Sequence, residues 1–174
     1  GLIIEDAAHA IGADYYNGRK IGSLGNLTSF SFYATKNITT GEGGAVSTND
    51  VFLADKIRKL RLHGISKDAW KRYDGGGSWY YEIEECGWKY NMTDIQASLG
   101  IHQLKKLPSF MDKRLQLAKI YDEELSKIPG IQIPVNLNKG RHAYHLYPIL
   151  LKNYDRNIFI EKLRELINKH YEPR

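Results

Sequence analysis

Ser31-Phe32-Tyr33-Ala34-Thr35-Lys36-Asn37-Ile38-Thr39-Thr40-Gly41-Glu42-Gly43-Gly44 is the stretch whose reading decides the fold. Leu27 to Tyr33, mixed small and aromatic residues, reads as a strand. A glycine-rich turn then leads to a third extended piece, Gly44 to Ser47. Upstream, the apolar run Leu2 to Glu5 reads as a buried strand ending at Asp6, thirty residues before Lys36. Open α/β sheets place ligands beyond the carboxyl ends of their strands. A carboxylate at one such end and a lysine after another are therefore candidates for one site.

Working outward, strand-like and helix-like segments alternate, which predicts a layered α/β architecture. Asn17-Gly18 is a hairpin-type turn. Asn49 or Asp50 caps a helix running to about Leu62, which Gly64 terminates. From Ser66 to Gly87 the chain is aromatic, charged and glycine-rich without a period, including Gly75-Gly76-Gly77 and Trp79-Tyr80-Tyr81, and reads as a long functional loop. Thr93 and Asp94 start a helix carrying Ile95, Leu99 and Leu104, expected to stop before Pro108. A separate helix from Pro108 shows Ala118, Tyr121, Leu125 and Ile128 at helical spacing. After Pro129-Gly130 come Ile131 to Pro134, a strand over Tyr144 to Leu151, and an amphipathic helix capped by Asp155 with Phe159, Leu163, Leu166 and Ile167. The expected division is residues 1–129 as part of a large domain and residues 130–174 as the start of a smaller one.

The 174 residues are 42% hydrophobic, ordinary for a chain that folds around a core. The formal charge of +5 is spread along helices among Asp and Glu, so it argues against a nucleic-acid partner. The single cysteine, Cys86, excludes an internal disulfide and a cysteine zinc cluster, and no metal site is expected. No stretch approaches the roughly 18 apolar residues a membrane helix needs, so a cytoplasmic chain with no membrane partner is expected. The chain begins inside an apolar run without a methionine, and reads as a fragment of something longer.

Lysine plus carboxylate points to pyridoxal phosphate (PLP). Its aldehyde is held by an amine as a Schiff base, and a carboxylate keeps its pyridine nitrogen protonated so that the ring acts as an electron sink. Lys36 and Asp6 are the candidates, Asp6 having a second reading as the cap of a helix starting at Ala7-Ala8. Ser31 is placed to hold a phosphate, and Gly41, Gly43 and Gly44 let backbone pass close to a flat ligand; ordinary turn chemistry is the alternative for these glycines.

Four blocks in order carry a resemblance: Glu5-Asp6-Ala7-Ala8-His9-Ala10; Ser29 to Asn37 with Glu42-Gly43-Gly44; Leu60-Arg61-Leu62-His63-Gly64; and Gly87-Trp88-Lys89-Tyr90-Asn91-Met92-Thr93-Asp94-Ile95-Gln96-Ala97. Over about residues 1–151 the chain resembles the DegT/DnrJ/StrS sugar aminotransferases. It is most similar to the branch acting on UDP-linked 4-keto sugars, as in 4-amino-4-deoxy-arabinose synthesis, including Ile65-Ser66-Lys67-Asp68-Ala69-Trp70.

The resemblance implies a fold-type I PLP-dependent transferase, with a mixed, mainly parallel sheet flanked by helices and the beginning of a small α+β domain. It implies that Lys36 forms the Schiff base and moves the proton, Asp6 bonds the pyridine nitrogen, His9 lies on the ring and Ser31 holds the phosphate. His9 also reads as a half-buried polar residue after a strand. In similar proteins the loop at Gly87 to Asn91 crosses to the cofactor of a neighbouring subunit, which implies a homodimer with shared sites. This chain departs from them, with Lys89 where Asn is common and Asn91 where Arg is common. Lys89 either offers its cation to that phosphate or is a solvated loop residue. Within Arg141 to Tyr147, His145 is either a substrate contact or a polar residue alternating along an edge strand.

Related 3-dehydratases carry histidine at the Lys36 position, so lysine favours transamination from glutamate to the keto sugar of a nucleotide-sugar, for surface polysaccharide or lipopolysaccharide precursors. Relatives supply a phosphate-wrapping turn from a preceding segment, so this fragment alone is expected to be inactive. A non-catalytic regulatory module on the same fold is the alternative reading.

Overall fold

A computed structural model describes residues 1–65, 81–137 and 139–170. Most of the expected 66–87 loop, including Ser66 to Trp70, Gly75 to Gly77, Trp79 and Tyr80, therefore lies outside the described residues.

The first sheet has three strands, β1 (Ile4–Asp6), β2 (Leu27–Ser31) and β3 (Gly44–Ser47), in the order β1-β2-β3. β1 runs parallel to β2, with Asp6 opposite Ser29; β3 runs antiparallel, with Gly44 opposite Ser31. The end of β1, the end of β2 and the start of β3 thus share one edge of the sheet. β2 stops at Ser31, not at Tyr33, because the chain turns there: Thr40 N donates to Phe32 O at 2.9 Å and Phe32 N to Gly43 O at 2.8 Å, closing the base of a loop over 32–43. The Asn17-Gly18 turn forms as expected, with Tyr15 N bonded to Arg19 O and Asp14 bridged to Lys20.

Helix α1 (Val51–Leu60) is capped by Asp50, whose carboxylate accepts from Leu53 N. Past it, residues 60–64 lie against 87–90: Trp88 N donates to Leu60 O, His63 N to Trp88 O and Tyr90 N to Arg61 O. A side chain at Gly64 would place its Cβ 1.8 Å from Glu85 O, and one at Gly87 would come within 2.2 Å of Gly64 N. The two glycine-bearing sequence blocks are therefore the two halves of one tight crossing.

Helix α2 (Asp94–Leu125) begins with a capping box between Thr93 and Gln96. It runs unbroken through Pro108, so the two helices expected on either side of that proline are one. The proline removes a single amide donor, so the helix gives up one hydrogen bond, to the carbonyl of Leu104 four residues earlier. Further along the helix Met111 and Ala118 are each 2% exposed and anchor it. Met111, Ala13 and Ala143 form the core cluster, with Ala10, Ile21 and Leu107 packed around it. Gly12 sits at φ +83° in this contact, where a Cβ would meet the Met111 side chain at 2.9 Å.

Strands β4 (Ile131–Gln132) and β5 (Leu150–Leu151) form a two-stranded antiparallel sheet, followed by α3 (Arg156–His170). Asp155 caps α3 as expected, accepting from Asn157 and Ile158 amides. The strand expected over Tyr144 to Leu151 shrinks to its last two residues. Tyr144 has φ +42°, and the carbonyls of residues 143–145 are taken by side chains, which leaves no ladder to form.

Candidate active site

Asp6 lies at the sheet edge described above, exposed, and no helix starts at Ala7-Ala8. Its Oδ1 accepts instead from Ala8 N at 3.0 Å, a local Asx-type turn. Among the described residues its other oxygen has no recorded partner. Ser31 stands two residues beyond the one paired with Asp6, about 7 Å further along the sheet edge at the usual strand rise. Its oxygen accepts from Tyr33 N at 3.4 Å, leaving its hydroxyl proton free to donate elsewhere.

Lys36 follows in a turn, its amide bonded to Tyr33 O at 3.0 Å. The side chain is half-buried, and its amine has no recorded hydrogen bond or ion pair among the described residues. Asn37 is 5% exposed and turns the other way, donating to Ala143 O at 2.9 Å, while its carbonyl oxygen lies 3.1 Å from His145 Nδ1. The His145 ring packs on His9, with centroids 4.2 Å apart. Asp6, His9, His145, Asn37 and Lys36 are thus joined through successive contacts or chain neighbours.

The electrostatics of this group are positive. Burial pushes the His145 pKa down, and the charges of His9, Lys36 and Arg114 push it further the same way. The edge-strand reading of His145 fails, since the residue is in no strand. Lys89 Nζ is hydrogen-bonded to Asn91 Oδ1 at 2.6 Å, and neither side chain is recorded in contact with the Lys36 group. Under the strand end, Glu5 accepts from Tyr15, Asn26 and Thr28. The hydrogen bonds from Thr28 and Tyr15 hold its pKa below the ordinary value.

Two residues were missed by sequence reasoning. Asn37 passed as the neighbour of the lysine, one polar residue among several in that turn, with no local signal of its own. Arg114, whose guanidinium donates to Tyr144 O and His145 O, sits in the middle of α2 and has no local signal. A separate groove between β2–β3 and α1, lined by Ala54, Ile57, Arg58, Arg61, Tyr90 and Met92, contains none of Asp6, His9, Lys36 or His145. Among the described residues there is no metal-binding cluster, and no helix is long and apolar enough to cross a membrane.

Residues 2–170 match the model of the DegT/DnrJ/EryC1/StrS aminotransferase family. The chain is 59% identical to the uncharacterized protein MJ1066 of Methanocaldococcus jannaschii over 94% of its own length and 43% of the relative's. It is 54% identical to the spore coat polysaccharide biosynthesis protein SpsC of Bacillus subtilis, over 84% of this chain and 37% of that one. Among solved structures, Spr1654 of Streptococcus pneumoniae in its PLP-form superposes with a TM-score of 0.82 at 32% identity, over 95% of this chain and 42% of that one. The chain therefore spans less than half the length of these relatives. The fold is part of the fold-type I architecture of PLP-dependent sugar aminotransferases.

The donor set fits PLP on its own chemistry. It offers a half-buried amine without a partner, a carboxylate with one oxygen open, a serine hydroxyl further along the same edge, and an imidazole with one face covered and the other open.

Proposed function

Because the chain belongs to the DegT/DnrJ/EryC1/StrS aminotransferase family, we propose that it acts as a PLP-dependent aminotransferase, moving an amino group from glutamate to the keto sugar of a nucleotide-sugar. The observation that carries this reading is the unpaired amine of Lys36 at the edge where Asp6 and Ser31 also lie. The similarity to SpsC supports a place in surface polysaccharide precursor synthesis. A non-catalytic module would have no need of that amine.

In this reading PLP, when bound, supplies the electron sink that weakens bonds at the substrate carbon. Asp6 accepts a hydrogen bond from the pyridine nitrogen through its open carboxylate oxygen and holds the proton there. Ser31 donates its hydroxyl to the phosphate. His9 presents its uncovered face to the ring, braced from behind by His145. Lys36 would hold the group through its Nζ, and that amine would carry the proton that must leave one carbon and arrive at another. His145 faces the keto sugar.

Lys89 and Asn91, bonded to each other, are assigned to the cofactor phosphate of the second subunit of a cytoplasmic homodimer. Residues 1–129 form part of the cofactor domain and residues 130–174 open the small domain.

The test is the visible absorbance of lysine-bound cofactor, together with amination of a panel of nucleotide-linked keto sugars with glutamate. A protein carrying this chain at the full length of its relatives should show both, and Lys36→Ala in it should lose the band and about 10²–10⁴-fold or more in turnover. A Lys36→Ala protein that keeps band and turnover would refute the assignment.

A further inference from the structure

Asn37 and Ala143 are 106 residues apart in sequence, yet the buried side chain of one is bonded to the carbonyl of the other. That carbonyl can only accept, so the amide nitrogen of Asn37 must face it. The second amide hydrogen has Met111 Sδ at 3.8 Å. The amide oxygen is left facing His145 Nδ1, and an oxygen that can only accept requires a proton on that nitrogen.

The segment that presents His145 is held against its own preference. Tyr144, a bulky residue, sits at φ +42°, a conformation that such residues avoid. Arg114 donates to the carbonyls of Tyr144 and His145, and His142 Nδ1 accepts from Tyr144 N. These bonds turn the imidazole inward onto His9.

We propose that Asn37 is a positioning residue that ties the lysine loop to residues 143–145 and fixes His145 as the Nδ1–H tautomer, leaving Nε2 as an acceptor for a hydroxyl of the substrate. This deepens the aminotransferase reading and rests on it for the identity of the substrate; the tautomer itself rests only on the hydrogen bonds. The groups facing His145 are His9, Lys36 and Arg114, all able to carry positive charge, and with burial they favour the neutral ring. A neutral Nδ1–H imidazole has one free lone pair, on Nε2, and no partner for it is recorded among the described residues. Because Asn37 is the next residue after Lys36, the amine and this acceptor are held at a fixed spacing by one buried amide.

The test needs no cofactor. Nitrogen–proton correlation spectra of the cofactor-free protein with labelled histidine, with His145 assigned by its loss in His145→Gln, report which ring nitrogen carries the proton. The expected pattern is a protonated Nδ1 and a bare Nε2, with a titration midpoint below that of an ordinary histidine. Asn37→Ala should release the preference and bring both nitrogens to averaged positions. Asn37→Asp, which keeps an acceptor facing Nδ1 but adds charge, should keep the proton on Nδ1 and move the midpoint up. A wild-type spectrum with the proton on Nε2, or an unchanged pattern in Asn37→Ala, would overturn the proposal. Should Asn37→Ala fail to fold, the wild-type spectrum still decides. Failure here would leave the absorbance of Lys36-bound cofactor untouched, and absence of that band would leave the tautomer untouched.

Discussion

Residues 5–44 enclose polar groups where residues 131–170 enclose almost nothing. Thr28 is fully buried, and Asn37 and Thr40 are nearly so, each hydrogen-bonded: Thr28 to Glu5, Asn37 to Ala143, Thr40 to Glu42 O. In the later region β4 and β5 have two residues each, and α3 has no buried residue, with Leu166 and Ile167 more than half exposed. Buried polar groups are costly unless satisfied, and once satisfied they admit few alternatives. The site side is therefore specified by bonds with fixed partners, while α3 keeps an apolar face that the described residues do not cover.

That contrast can be broken at its strongest point first. Met111→Ala should destabilise by about 2–5 kcal/mol, because Met111 is 2% exposed at the meeting of α2, Ala13 and Ala143. Equilibrium denaturation would read this as a lower midpoint, and a loss below about 1 kcal/mol would mean that the core is not where these contacts put it.

Thr28→Val should cost about 1–3 kcal/mol, since it removes the 2.6 Å hydrogen bond to Glu5 and leaves that carboxylate less well held. The sign with pH follows from the lowered pKa of Glu5. Stability from this group is present above the unfolded value of 4.5 and is lost as pH falls through the lower folded value. The wild-type protein should therefore lose more stability than Thr28→Val between about pH 6 and pH 3. Parallel curves for the two proteins would remove Glu5 from the framework beneath Asp6.

Leu166→Ala on α3 should change stability by no more than about 0.5 kcal/mol, as expected for a side chain 55% exposed with little packed on it. A cost near that of Met111→Ala would show that α3 is packed in solution and would erase the difference between the two regions.

What was legible in the sequence was what short-range chemistry writes. The strand end at Asp6, the strand start at Leu27, the caps Asp50, Thr93 and Asp155, and the Asn17-Gly18 turn all follow from local residue types, and all appear. Pro108 misled because local helix-breaking was outweighed by burial of Met111 and Ala118 on the same helix. The strand expected at Tyr144 misled for a related reason, its carbonyls being claimed by Asn37 and Arg114 from distant parts of the chain. For the site, the lysine and the carboxylate announce their chemistry by type, whereas the amide that joins the lysine loop to residue 143 is a long-range contact with no periodic trace.

The most direct test of the central claim is to reduce the protein with borohydride in the presence of PLP and map the modified peptide by mass spectrometry. The expected result is one pyridoxyl adduct, on Lys36, with Asp6 and Ser31 substitutions lowering its yield. An adduct confined to a different lysine, or none at all in the folded protein, would contradict it.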